Sequence, residues 1–254
     1  KQPTIAIVHG DIHAAKHDIR VLGEVFNSGG VVDVLKPAHQ FFHDLLDFTP
    51  RNHHNINDPH FLWSVAAEHS VASEFKLAAA ILERAARPGC QNHVVVSNHD
   101  QALEVWLKNP KGFSDPKNAG LWLELNHWMW KELQEGRKPH SFEYMMDSVS
   151  MWHHLIKEDE SYKLHDIEFA LHGHLGPNGA RGAPRNLRVL GKACTGHTHS
   201  AGIIEGVYTA GVYGKLDMGY NKGPSSWSHS LIVVYRNGKR SIITLNDNGP
   251  WRQE

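Results

Sequence analysis

The sequence is poor in cysteine: Cys90 and Cys194 are the only two among 254 residues. They stand in unrelated contexts, so neither a disulfide framework nor a cysteine-based zinc site can be built, which suits a reducing cytoplasm. It also lacks an excess of charge of either sign. Lys and Arg number 26 against 27 for Asp and Glu, a formal net charge of −1. No global positive field therefore advertises a nucleic-acid partner, and any such partner must be held by a local basic patch. No apolar run is long enough to span a bilayer and no signal-peptide pattern opens the chain, so a membrane partner is not expected. Internal repeats, low-complexity tracts and linkers are also missing. The chain opens on Lys1 rather than Met, which leaves room for an N-terminal domain upstream. Residues 1–254 themselves read as a single domain.

Histidine, by contrast, is abundant, with 21 residues. Several are paired: His53 with His54, His153 with His154, His172 with His174, His197 with His199. His53, His54, His153 and His154 read as surface residues. The richness in the commonest metal ligand nonetheless raises the expectation of a metal site.

Apolar runs punctuated by Gly and Pro give the organisation. Thr4 to Val8 reads as a buried strand and Asp18 to Phe26 as a helix stopped by Gly29 and Gly30. The second strand has two candidates, Val31 to Leu35 or Gln40 to His43. Asn57-Asp58-Pro59 signals a helix start, with the helix running to about Arg87 before Pro88-Gly89. His93 to Val96 and Ile167 to Leu171 read as strands. The stretch between, from about 101 to 163, reads as a helical insertion carrying Trp106, Trp122, Trp128, Trp130 and Trp152. At helical spacing these favour an apolar cap or subunit interface over base stacking. Short strands follow Thr195, with a hairpin around Asn237-Gly238. The alternation predicts an α/β sandwich.

Four polar clusters each follow an apolar run: Asp11-x-His13, Asp44-x-x-Asp47, Asn98-His99-Asp100 and His172-Gly173-His174. A fifth, Gly196-His197-Thr198-His199, comes just after Lys192 to Thr195. Loops at the carboxyl ends of strands converge on one crevice in an α/β sheet. Carboxylates, imidazoles and an amide oxygen make a mixed N/O donor set suited to Mn²⁺, Fe or Zn²⁺. The alternation in His197-x-His199 would turn one imidazole toward each of two ions.

In this order the five clusters resemble the calcineurin-like metallophosphoesterases, over the span from Gly10 to His199. The resemblance implies an αββα sandwich, two divalent ions (Mn²⁺ foremost, with Mg²⁺, Fe or Zn²⁺ as alternatives) and hydrolysis of phosphate esters. It implies that Asp11, His13 and His199 hold one ion, that Asp44 bridges, and that Asn98, His172 and His197 hold the other. His99 would be the general acid, with Asp100 orienting its ring. Two positions depart from the family's pattern: Ser97 and His43 stand where it has glycine. The second departure makes Asp33 a rival for the bridging role, with Asp44 preferred because it keeps both aspartates of the motif.

From Gly176 to Lys192 the chain carries Arg181, Arg185, Arg188 and Lys192 and no acid. Arg181 and Arg185, with His174, are the candidate substrate contacts, since Arg engages phosphate bidentately. This segment, and Gly223 to His229, look like those of phage-encoded metallophosphoesterases, in particular early DNases of tailed phages. That likeness implies DNA as substrate, action in the cytoplasm of an infected bacterium and a homo-oligomer. The rival readings are a phosphoesterase for small molecules or RNA, and a non-enzymatic interaction module on the same fold.

Overall fold

A computed structural model describes residues 4–49, 60, 70–219, 221–245 and 251–252. The first strand, β1 (Thr4–Val8), lies where the apolar run predicts it. Asp18 caps α1 (Ile19–Phe26) by accepting from the Arg20 N–H, and the helix buries Val21, Leu22, Val25 and Phe26 along one face. Between the two candidates for the next strand, the structure selects the later. Val31–Leu35 forms a short helix, α2, and β2 is His39–Phe42. Tertiary context overrides the β-branched composition here: Gly30 starts the turn, and Val31 and Val32 are fully buried beneath it.

Helix α3 (Val71–Ala85) starts at a reciprocal capping box between Ser70 and Ser73. The helix start read at Asn57 to Pro59, with His53 and His54, lies outside the described residues. After β3 (Gln91–Val95) come α4 (Asn98–Lys108), α5 (Ala119–Gln134) and α6 (Ser141–Val149). The helical insertion therefore ends earlier than the sequence suggests. His154–Ile156 is strand β4, paired parallel to β3 and contributing the buried Ile156. His153, read as a surface residue, has a side chain only 3% exposed and faces Asp147. Trp106 is buried in the core and accepts the Trp122 indole N–H at its carbonyl, whereas Trp130 and Trp152 are exposed.

The remaining strands are β5 (Lys163–Leu164), β6 (Ile167–Glu168), β7 (Lys192–Thr195), β8 (Gly202–Ile204), β9 (Val207–Thr209), β10 (Ser230–Tyr235) and β11 (Arg240–Thr244). Helix α7 (Pro184–Leu187) precedes β7. Two mixed sheets result. One is ordered β11-β10-β1-β2-β3-β4, with β1 to β4 parallel; the other is ordered β5-β6-β7-β9-β8, with β6, β7 and β9 parallel. The hairpin at Asn237-Gly238 joins β10 to β11, with Gly238 in the left-handed region that its turn requires.

Strand alternation sorts the side chains into layers. Ile7, Phe42, Val94, Leu231 and Val233 pack with α1 to α4, while Ala6, Val8, Phe41, Val95 and Ile232 pack against Phe169, Cys194 and Ala210 of the second sheet. Leu187 of α7 covers Ala193 and Val207 on that sheet's outer face. The chain is thus an α/β sandwich of two mixed sheets flanked by helices. Among the described residues, no helix is long and apolar enough to cross a membrane.

Phe41 is the clearest measure of the inter-sheet layer, stacking on Phe169 at 4.5 Å and on His93 at 4.6 Å with no exposed surface. Phe41→Ala is expected to destabilise the fold by about 3–5 kcal/mol, read as a lowered urea midpoint.

Candidate metal centre

The parallel strands end on one edge, and the loops that leave them are laced together. Ile12, His13 and Ala14 N–H groups donate to the carbonyls of His43, Asp44 and Leu45. The Gly196 N–H donates to the His172 carbonyl at 2.8 Å, joining the two loops from the second sheet. Across the sheets, the His197 N–H donates to Asp11 Oδ2 at 2.8 Å. His13, Asp44, His197 and His199 all adopt left-handed backbone at φ 47°, 40°, 78° and 58°. Such conformations are uncommon for residues with a side chain and gather where function over-determines the backbone.

Donor atoms of Asp11, His13, Asp44 and His199 lie within 4.8 Å of one another, and all four residues are buried. His13 Nε2 and His199 Nε2 face each other at 2.9 Å, and His199 Nε2 is 3.3 Å from Asp11 Oδ2. A second group meets the first at Asp44. Its Oδ2 is 3.6 Å from His13 Nε2 and 3.4 Å from His172 Nε2, which in turn is 3.0 Å from Asn98 Oδ1. The His197 ring lies 5.1 Å from that of His172. Asp11 Oδ1 and Asp44 Oδ1 are buried without a hydrogen-bond partner. Orphaned buried carboxylate oxygens are costly, and donors about 3–4 Å apart suit ligand bonds of about 2.0–2.2 Å to one ion. The residues fit a divalent cation.

Charge in the centre is balanced internally. Burial opposes the ionisation of Asp44, but the His172, His99 and His13 imidazoles hold it well below the usual carboxylate range. Burial likewise disfavours the His172 imidazolium, yet Asp44, Asp11 and Asp100 outweigh it and raise the group to about 9. His13 and His197 are pushed down from the usual histidine value, chiefly by burial.

The structure brings together Asp11, His13, Asp44, Asn98, His172, His197 and His199. Asp33, the rival for the bridging position, is elsewhere: it lies in α2, accepts from Gly29 N–H and pairs with Arg87 at 2.5 Å. His99 sits in the first turn of α4, its ring 4.8 Å from that of His13. The expected role of Asp100 is corrected. His99 Nδ1 bonds the Asp47 main-chain oxygen at 2.8 Å, while the Asp100 carboxylate accepts from Leu46 N–H and from Ser97 N–H and Oγ–H. Burial, reinforced by Asp44, pushes Asp100 up to about 7. Its work is to cap α4 and to tie that helix to the loop after β2.

Both departures from glycine have local reasons. Ser97 is the N-cap of α4, receiving the Asp100 N–H at an extended φ of −119° that needs no glycine. His43 is fully buried, and room for it comes from the opposite loop, where a Cβ on Gly196 would lie 3.1 Å from the His43 Cβ and collide with Asp11 Oδ1. His174 is half-buried with its ring 5.4 Å from that of His172. Arg181 and Arg185 are exposed and carry no acid partner among the described residues, whereas Arg188 pairs with Glu205 at 3.0 Å. Their loop folds back on the ligand segment through a Gly182 N–H to His174 carbonyl bond of 2.8 Å.

Asp47 carries more than its place in the motif suggests. Its carboxylate is 3.2 Å from His13 Nδ1 and 3.3 Å from Lys16 Nζ, so it stands behind a candidate ligand as a close charged contact. Glu74, on α3, accepts the N–H groups of Asp47 and Phe48 and has no signal in the sequence at all.

No family model matches the chain. It is 41% identical over 256 residues to Protein A1 of Escherichia phage T5, an alignment that takes in 96% of this chain and 46% of that protein. The chain therefore has a phage relative and spans about half of that relative's length.

Because His172 is held up to about 9, an ion that takes Nε2 must displace a proton at pH 7. Mn²⁺ titration calorimetry in two buffers of different ionisation heat is expected to show proton release, with affinity rising as pH increases from 7 toward 9. The released proton should disappear in His172→Ala.

Proposed function

We propose that the chain is a two-metal phosphodiesterase of the calcineurin-like metallophosphoesterase type, and that its substrate is DNA. The observation that carries this reading is the position of Asp44. One carboxylate oxygen lies within 3.6 Å of His13 Nε2 and 3.4 Å of His172 Nε2, shared between two donor groups. Asp11, His13 and His199 would hold one ion with Asp44, and Asn98, His172 and His197 the other. When bound, such ions polarise a phosphoryl group and lower the pKa of water toward neutrality.

The chain's own contribution is proton transfer and orientation. His99 Nδ1 donates to the Asp47 carbonyl, which fixes the ring and leaves Nε2 to carry the proton. Burial disfavours the imidazolium, but Asp44 and Asp47 outweigh it and raise the pKa above the usual histidine range. A ring whose imidazolium is favoured in this way suits a general acid delivering a proton to the leaving oxygen. Arg181 and Arg185, without acid partners among the described residues and close in the chain to the His172 to His174 segment, suit the gripping of a phosphate backbone. The phage relative supports a phage setting, and the proposed activity there is that of a nuclease acting on host DNA, in the bacterial cytoplasm and as a homo-oligomer.

Circular and linear DNA incubated with the protein should be cleaved in Mn²⁺ and left intact in EDTA. Full activity after dialysis into excess chelator would sink the mechanism. His99→Ala should keep its metal content and lose about 10²–10⁴-fold in rate. Wild-type turnover by that variant on a poor leaving group would remove His99 from the chemistry.

The substrate class is tested by replacing Arg181 and Arg185 together with alanine. DNA affinity should fall similarly on all sequences, and the log–log salt slope should shrink by roughly 0.7–0.9 for each phosphate that the protein no longer neutralises. A small aryl phosphodiester should be hydrolysed as before. An unchanged salt slope with unchanged DNA cleavage would favour a small-molecule or RNA substrate.

A further inference from the structure

The segment after β2 supplies more of the centre than Asp44. Asp47 touches both functions at once, its carboxylate lying 3.2 Å from His13 Nδ1 and its carbonyl accepting from His99 Nδ1 at 2.8 Å. Any shift of this residue would move a candidate ion ligand and the candidate proton donor together. Its backbone is held by carboxylates from outside the segment: Leu46 N–H donates to Asp100 Oδ1 at 3.1 Å, and Asp47 and Phe48 N–H donate to Glu74 Oε1 at 2.6 and 2.7 Å. Phe48 is left-handed at φ 53°. Consecutive N–H groups in such a turn converge on one point and make a small anion-binding concavity. Glu74 fills it from the first turn of α3, only 4% exposed.

We infer that Glu74 is a positioning residue for the metal centre, setting the place of Asp47 and through it the rings of His13 and His99. The inference rests on the proposed two-metal reading. It requires the reach of Glu74 and its acceptor oxygen. A negative charge at that position is not what matters, because the donors are neutral peptide N–H groups. Lys16, which faces Asp47 Oδ2 at 3.3 Å, already supplies a counter-charge to the Asp47 carboxylate.

Three substitutions separate these properties. Glu74→Gln keeps the length and one acceptor oxygen but drops the charge; Glu74→Asp keeps the charge but is a methylene too short; Glu74→Ala loses both. Leu82→Ala, elsewhere on α3 and fully buried, controls for general loss of stability. Mn²⁺ affinity by calorimetry and the kcat-against-KM split on an aryl phosphodiester are measured on all four beside the wild type. Glu74→Ala and Glu74→Asp are expected to lose about 10–100-fold in Mn²⁺ affinity and to fall in kcat. Glu74→Gln should stay close to wild type. Leu82→Ala should lower Tm while keeping affinity. If Glu74→Ala does not fold, the Asp and Gln variants alone decide. Wild-type affinity in Glu74→Asp, or a loss in Glu74→Gln as large as that in Glu74→Asp, would overturn the role of Glu74. Failure of the wild type to take up Mn²⁺ would instead overturn the two-metal reading itself.

Discussion

Two carboxylates with essentially no exposed surface, Asp11 and Asp44, are the constraint around which this sandwich is organised. A buried charge without partners costs more than the whole net stability of a typical domain. Each is answered by imidazoles from distant parts of the chain, His199 and His172, and Asp11 additionally by a peptide N–H from His197. Even so, one oxygen of each carboxylate keeps no hydrogen-bond partner. That remainder of unsatisfied negative charge at the meeting point of two sheets is what makes a metal ion a fitting complement.

Holding such a cluster rigid demands backbone shapes that ordinary residues avoid. The left-handed conformations of His13, Asp44, His197 and His199 are each unfavourable alone. They persist because the loops are bonded to one another: the β1 and β2 loops by consecutive peptide hydrogen bonds, the β6 and β7 loops through Gly196. Gly196 is also where the Asp11 carboxylate passes too close for any side chain. Strain here is offset by the layers beneath, which anchor every strand whose end feeds the centre.

Much of the centre is legible in the sequence, for physical reasons. The candidate ligand clusters follow short apolar runs, and strand ends in parallel sheets converge, so Asp11, Asn98 and His172 can be placed at one crevice from the residue pattern. The second strand is ambiguous because Val31 to Leu35 has a strand's composition yet forms one turn of helix over a buried pair of valines. Asp100 illustrates a different limit. Its neighbour in sequence is His99, but a helix turns successive side chains apart, and Asp100 points back to cap the helix while Asp47 meets the histidine ring. Glu74 leaves no trace in the sequence because its partners are peptide N–H groups, which no residue pattern records.

A link between two ions through Asp44 is the claim on which the two-metal reading depends. The most direct measurement is electron paramagnetic resonance of the protein loaded with Mn²⁺ to saturation. An exchange-coupled spectrum from a pair of ions is expected, collapsing to uncoupled or free Mn²⁺ in Asp44→Ala and unaffected in Asp33→Ala. A wild-type spectrum of isolated Mn²⁺ ions alone, or coupling that survives the loss of Asp44, would contradict it.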